Sequence, residues 1–293
     1  MDASIRTDRL QNVYFDDTAY DADAGAGARA LTAMEWSSGV CNAGGVALHY
    51  RRTGGSKPPF VLLHGLMANG ACWTPLARGL EERFDVVMPD ARGHGNSDAP
   101  LDGYRYHDLA ADVTALIREL GLNAPVLLGH SMGGMTAAVV ASQIADALKA
   151  VILVDPTFIS PQWQRDVRDS DIAEQHRRTL TLSAEDISAD LKRRHPHRSE
   201  EVVGLLAAAR LQTKMSAFDV LTPPNPEYRE LIRGIRVPVL LVIADAGVVS
   251  LETARELQAL NPRVHVQQIQ DAGHGIPFDR PLQLEMAVKA FCE

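Results

Sequence analysis

The group best placed for nucleophilic chemistry is a serine held between glycines in the run Leu128-Gly129-His130-Ser131-Met132-Gly133-Gly134. The apolar run Pro125-Val126-Leu127-Leu128 precedes it, and the small-residue stretch Thr136-Ala137-Ala138-Val139-Val140-Ala141 follows. The first reads as a short buried strand and the second as a closely packed helix. A serine on so sharp a strand-to-helix turn needs strained backbone angles, and Gly129 and Gly133 remove side chains that would collide there. The turn pushes the hydroxyl clear of the sheet and sets it at a helix N-terminus, where backbone N–H groups favour developing negative charge.

A serine hydroxyl is a poor nucleophile at neutral pH and needs a neighbouring base. His274, in Asp271-Ala272-Gly273-His274-Gly275, follows a strand-like run and stands between glycines, on a loop able to reach the serine. A carboxylate must then hold the imidazole in the right tautomer and stabilise its cation. Asp245 ends the run Val239-Leu240-Leu241-Val242-Ile243-Ala244, and Asp155 ends Ala150-Val151-Ile152-Leu153-Val154, so either aspartate could reach the same ring.

Other reactive residue types have plainer readings. One base suffices, so His64 reads as orienting its loop, and His130 as flanking the serine with its side chain turned from the base. His94 reads as a hydrogen-bonded loop residue and Cys72 as a small packing group. His195-Pro196-His197 lacks the third and fourth converging ligands that a metal requires. The glycines after Ser131 lack the spacing and the Lys-Ser/Thr ending of a phosphate loop, so no nucleotide is expected.

These groups need a scaffold, and the chain supplies one by repetition. Val46–Tyr50 alternates like a half-exposed strand and leads to a Thr53-Gly54-Gly55 turn. Phe60–Leu63, Val86–Met88, Ala150–Val154 and Val237–Ile243 are continuous apolar runs, as expected of strands covered on both faces, and Arg263–Gln267 supplies one more. Trp73–Leu80, Tyr106–Leu120 and Leu282–Phe291 read as helices between or after them, and Ser250 as the N-cap of another. Repeated βα units with buried central strands predict an α/β fold with a doubly wound, mostly parallel sheet. Residues 157–236 break the rhythm: dense in charge and without a convincing buried strand, they read as a helical cap inserted over one end of the sheet. The core then comprises residues 38–156 and 237–293. Residues 1–37, rich in Asp, Ala and Gly, are expected to be an acidic, flexible extension.

In order and motif the chain resembles the α/β-hydrolase superfamily over residues 39–293. The resemblance rests on Gly129–Gly133 as a nucleophile elbow, on His64-Gly65-Leu66 as an oxyanion loop, and on the Asp90–Ser97 loop. Asp245 and Gly273-His274 complete it after the late strands. It implies a catalytic triad of Ser131, His274 and Asp245, with Asp155 the rival acid, and an oxyanion hole from the N–H groups of Leu66 and Met132. One departure from the family pattern is Val242-Ile243-Ala244, where a glycine often shortly precedes the acid. The aspartate that dehalogenases and epoxide hydrolases of this fold carry at the elbow is here Ser131. Leu66, Met67, Trp73, Met132, Phe158, Ile159 and Trp163 are expected to line an apolar pocket suited to an acyl chain, an aromatic ester or a lactone. The leading expectation is thus an ester or lactone hydrolase that needs no cofactor. A carbon–carbon bond hydrolase or a lyase or cyclase would share the triad and would be favoured by charged cap residues such as Arg165 or Arg168 in the cavity. A ligand-sensing protein on the same scaffold is the third possibility.

Composition sets the outer bounds. The 293 residues are 46% hydrophobic and 23% charged, and the net charge of −8 argues against nucleic acid or an anionic membrane surface as partner. Cys41, Cys72 and Cys292 are widely spaced and form neither a disulfide framework nor a zinc pattern. With no apolar leader at Met1–Arg6 and no long uncharged apolar run, a soluble cytoplasmic protein acting on a small molecule is expected, as monomer or homodimer.

Overall fold

The computed structural model describes residues 36–293; the extension expected over residues 1–37 lies almost wholly outside the described residues. Eight strands form one sheet: β1 (Ser37–Ala43), β2 (Val46–Arg52), β3 (Pro59–Leu63), β4 (Asp85–Pro89), β5 (Val126–His130), β6 (Ala150–Val154), β7 (Val239–Ala246) and β8 (Val264–Gly273). Their order is β1-β2-β4-β3-β5-β6-β7-β8. The first two strands pair antiparallel and β2 runs antiparallel to β4, whereas β4 through β8 are parallel.

The parallel centre explains the sequence pattern. Every residue of β4, β5 and β6 is buried, because helices cover both faces. Core helices α1 (Thr74–Leu80), α2 (Tyr106–Glu119) and α3 (Met132–Gln143) precede the cap region. On one face α2 and α3 pack Leu109, Leu116, Met135 and Val139 against Val61, Leu127 and Leu153. On the other, Leu76 and Leu80 of α1 meet Phe60, Leu62, Leu128 and Ile152. The strand β1 gave no separate signal in the sequence: Val40 points to solvent at 66% exposure while Cys41 and Ala43 are buried.

Between β6 and β7 the chain carries α4 (Pro161–Arg168), α5 (Ile172–Thr179), α6 (Ala184–Arg194), α7 (Glu200–Gln212) and α8 (Tyr228–Gly234), with no strand among them. This is the helical cap. Ser160, Ser183 and Ser199 cap α4, α6 and α7 by accepting a backbone N–H three residues on. The last of the five differs from the others, since Tyr228 and Ile232 of α8 join the main core. The expected cap range of 157–236 therefore contains one helix that packs with the core. After β7 come α9 (Leu251–Leu260), capped by Ser250 as expected, then α10 (Ile276–Asp279) and α11 (Pro281–Phe291). No described helix is long and apolar enough to cross a membrane.

Candidate active site

Ser131 sits between β5 and α3 with φ 54° and ψ −116°, a strained conformation for a residue with a side chain. The glycines around it are demanded by contact. A Cβ on Gly129 would stand 2.0 Å from the Gly133 carbonyl oxygen, and one on Gly133 would stand 2.3 Å from that of Leu63. Gly65 is packed less severely, with its Cβ position 3.2 Å from both the Ser131 Cβ and the His130 ring. The small residues of the motif thus let three backbone segments converge on one hydroxyl.

That hydroxyl meets a base. Ser131 Oγ donates to His274 Nε2 at 2.9 Å, and His274 Nδ1 donates to Asp155 Oδ2 at 2.6 Å. All three residues are buried, Asp155 completely. Asp155 is further fixed by the Val248 N–H on Oδ2 at 2.9 Å and the Val249 N–H on Oδ1 at 3.0 Å. A Cβ on Gly247 would come within 2.7 Å of both carboxylate oxygens, so a glycine is required beside the acid.

The expectation that Asp245 holds the base is corrected by this geometry. Asp245 is exposed, at a bulge between Ala244 and Ala246, and its carboxylate accepts from Gln268 Nε2 and the Asp271 N–H, each at 2.7 Å. The physical reason is strand adjacency. In the register His130 pairs with Val154, so Ser131 and Asp155 leave neighbouring strands at one level. Strands lie about 4.8 Å apart, and Asp245 starts one strand further away. The loop after β7 still contributes, but through the backbone of Val248 and Val249.

The surrounding histidines are structural supports. His64 Nδ1 donates to the Gly65 carbonyl at 2.8 Å and its Nε2 accepts the Ala91 N–H at 2.9 Å, which ties the loop after β3 to that after β4. The second loop is organised by Asp90, whose carboxylate accepts the Gly70 and Asn96 N–H groups and the His49 ring. His130 is not turned from the base as expected: its Nε2 donates to the His274 carbonyl at 2.8 Å and so holds the base from its backbone side. Burial pushes His130 and His94 down to a pKa of about 3, so both are neutral at pH 7. Cys72 is buried, and burial pushes its thiol up to about 12, as befits a packing group.

The backbone N–H groups of Leu66 and Met132 have no acceptor among the described residues. Met132 is the first residue of α3, so its N–H points out of the helix N-terminus beside Ser131. The Met132 side chain turns into the core instead of forming the expected pocket wall.

Ser131 and His274 open onto a cavity of about 620 Å³, counted to its mouth. Leu66, Met67, Leu206 and Phe278 supply an apolar part of its lining, and His195, Arg198 and Arg210 a polar part. Of the residues expected to line the pocket, Leu66 and Met67 are among them. Trp73 packs in the core beneath the sheet, Phe158 stacks on Tyr228 with ring centroids 4.9 Å apart, and Trp163 packs with Ile159, Val167 and Val248. Ile159 is likewise absent from the wall. Arg165 and Arg168 are exposed, whereas Arg198 and Arg210, not anticipated from the sequence, reach the cavity.

Arg198 is paired. Its Nε donates to Asp279 Oδ1 at 2.6 Å and its Nη2 to Oδ2 at 3.2 Å, while His197 Nε2 donates to the same Oδ1 at 2.9 Å. Gly275, next to the base, makes room for this pair: a Cβ there would lie 2.5 Å from Asp279 Oδ2. His195, His197 and Asp279 have ligand atoms within 4.8 Å of one another, which supplies the third donor that the sequence did not reveal. The donor set nevertheless fits a cation poorly, because the Arg198 guanidinium already neutralises the Asp279 carboxylate.

A mostly parallel eight-stranded sheet, a serine elbow and a helical cap define a class. The chain belongs to the α/β-hydrolase fold family, whose model matches residues 58–281. It is 29% identical over 255 residues to the N-formylmaleamate deformylase of Pseudomonas putida, covering 83% of this chain and 91% of that protein. Among solved structures, an E-2-(acetamidomethylene)succinate hydrolase superposes with a TM-score of 0.76 at 24% identity, covering 88% of this chain and 99% of the other. The enol-lactonase of Burkholderia xenovorans LB400 superposes with a TM-score of 0.73 at 25% identity, covering 87% and 99%.

Proposed function

We propose that this protein is a cofactor-independent serine hydrolase that cleaves a small ester, lactone or activated amide through an acyl-enzyme on Ser131. The observation that carries this reading is the continuous chain of hydrogen bonds from Ser131 Oγ through His274 to Asp155. His274 takes the serine proton on Nε2 as Oγ bonds to the substrate carbonyl carbon, and Asp155 stabilises the imidazolium that forms. The free amides of Leu66 and Met132 supply donors for the oxyanion. Collapse of the tetrahedral intermediate breaks the bond to the leaving group, which departs with the proton from Nε2. Water then attacks the acyl carbon and gives its proton to His274; the second collapse releases the acid and returns the proton to Ser131.

The relatives support the acyl class: their names describe a deformylase, an enol-lactonase and a hydrolase of an acetamidomethylene compound. The arginines at the cavity turn the expectation of a largely apolar substrate toward one with a polar part. A small-molecule substrate and a cytoplasmic setting belong to the same proposal.

The test is hydrolysis of a short p-nitrophenyl ester series by the wild type and by Ser131→Ala. Multiple turnover that disappears in Ser131→Ala supports the reading. Turnover indifferent to Ser131, or none with any acyl donor, overturns it in favour of carbon–carbon cleavage, lyase chemistry or ligand sensing.

A further inference from the structure

The cap face of the cavity carries one charge too many. Arg194 bonds Asp190, and Arg198 bonds Asp279. Arg210, on α7, is only 9% exposed, and its guanidinium has neither a hydrogen bond nor an ion pair among the described residues. The charged groups that bear on it are Arg194 and Arg198, which repel it, and Asp190, already engaged by Arg193 and Arg194. Burial and the two neighbouring guanidinium groups push Arg210 down to about 10, so it remains a cation at neutral pH.

A buried cation without an acceptor costs several kcal/mol unless something completes it. The cavity that Arg210 shares with Ser131 and His274 is where that partner can enter. His195 adds to the same wall, and its Nδ1 is buried without a partner. Leu66, Met67, Leu206 and Phe278 make part of the same lining apolar.

We propose that Arg210 is the anchor for a carboxylate carried by the substrate, held in the cavity while the acyl carbon lies against Ser131. The guanidinium presents a planar pair of N–H donors matched to the two oxygens of a carboxylate, and low exposure strengthens the contact. A single unpaired guanidinium balances one negative charge, which fits a carboxylate better than a doubly charged phosphate. The substrate class is then an acyl compound with a second, free carboxylate. This rests on the serine-hydrolase reading for the reaction, but the anion contact can be measured without turnover.

The experiment uses the full chain with succinate and glutarate, their neutral diamides, and inorganic phosphate. Melting temperature is followed in Ser131→Ala, and inhibition of p-nitrophenyl acetate hydrolysis in the wild type. The dicarboxylates are expected to raise the melting temperature and compete with ester at least about tenfold better than the diamides and phosphate. Arg210→Gln should erase that preference and Arg210→Lys should retain part of it. Equal effects of dicarboxylate and diamide, or a preference that survives Arg210→Gln, would overturn the proposal, and stronger binding of phosphate would reassign the site. Should Arg210→Gln fail to fold, the wild-type comparison of acid with amide still decides. Ester hydrolysis indifferent to Ser131 would sink the hydrolase reading alone, since the melting measurement is made without the nucleophile.

Discussion

Ser131 and Asp155 each stand one residue beyond the paired step His130–Val154 on neighbouring parallel strands, and each has positive φ, 54° and 37°. Two adjacent strands thus end in two sharp turns side by side, and one imidazole from the loop after β8 bridges them. Asp155→Asn should lower kcat for ester hydrolysis by on the order of 10³-fold or more, because an amide holds the wrong tautomer. Asp245→Asn should change it less than about threefold, given that its partners are Gln268 and the Asp271 backbone. Steady-state kinetics of the two variants rank the acids directly, and the reverse order would refute the assignment.

Gly247 offers a subtler lever on the same carboxylate. Gly247→Ala places a methyl group 2.7 Å from both Asp155 oxygens, so the acid must shift or the loop must yield. We expect kcat to fall about 10- to 100-fold, since small displacements of a catalytic group are costly. Its melting temperature should change far less than that of Gly129→Ala, where the new Cβ would meet backbone at 2.0 Å. Parallel kinetics and thermal melts separate the two effects.

Stability should depend on acid in a defined direction. His94 and His130 have native pKa values of about 3, well below the ordinary value of 6.5. The unfolded chain therefore binds protons that the native fold refuses, and stability present above pH 6.5 is lost as pH falls toward about 3. At pH 5 the loss is about 2 kcal/mol for each of these two rings. His195, lowered by burial, adds to the same trend, whereas Asp279, lowered by its His197 and Arg198 contacts, contributes only once the pH falls into the ordinary carboxylate range. Denaturant midpoints recorded between pH 7 and pH 5 should decline steadily; a flat profile would mean these rings are hydrated in solution.

A buried ion pair between the loop after β4 and α2 sets a limit on mutation. Arg92 Nε and Nη2 donate to the two Asp112 oxygens at 2.7 and 2.6 Å, and Arg92 Nη1 donates to the Gly103 carbonyl. Asp112→Ala leaves that guanidinium without its counter-ion and should cost about 3–5 kcal/mol in a denaturant titration. Replacing both residues by apolar ones of similar volume should recover much of the loss.

The sheet was legible because parallel strands buried on both faces leave unbroken apolar runs, as Phe60–Leu63 and Ala150–Val154 do. Strand β1 was not, since its Val40 and Gly39 carry no alternation to read. The Ser131–His274 contact is legible from residue type and glycine spacing, which survive in one dimension. The aspartate that bonds His274 is not legible there, because the choice between Asp155 and Asp245 depends on which strand neighbours the elbow, a property of the sheet order alone. Arg210 lies within an alanine- and leucine-rich helix and carries no motif around it. A signal was present, for Val203, Leu206 and Arg210 fall on one buried stripe, where a charged residue is out of place.

The cap departs from the sheet directly after Asp155, so the hydrogen-bond partner of His274 is also the residue at which the insertion is rooted. Families that exchange their lids as separable modules can do so only where the junction is chemically silent. Here one junction is not. A chimera that swaps the helical insertion must keep Asp155-Pro156-Thr157 intact and join beyond it, because a splice made at the strand end would remove the group that orients His274. Recombination of this chain with its relatives is thereby constrained on the side of β6, while the return into β7, relieved of the acid, can vary.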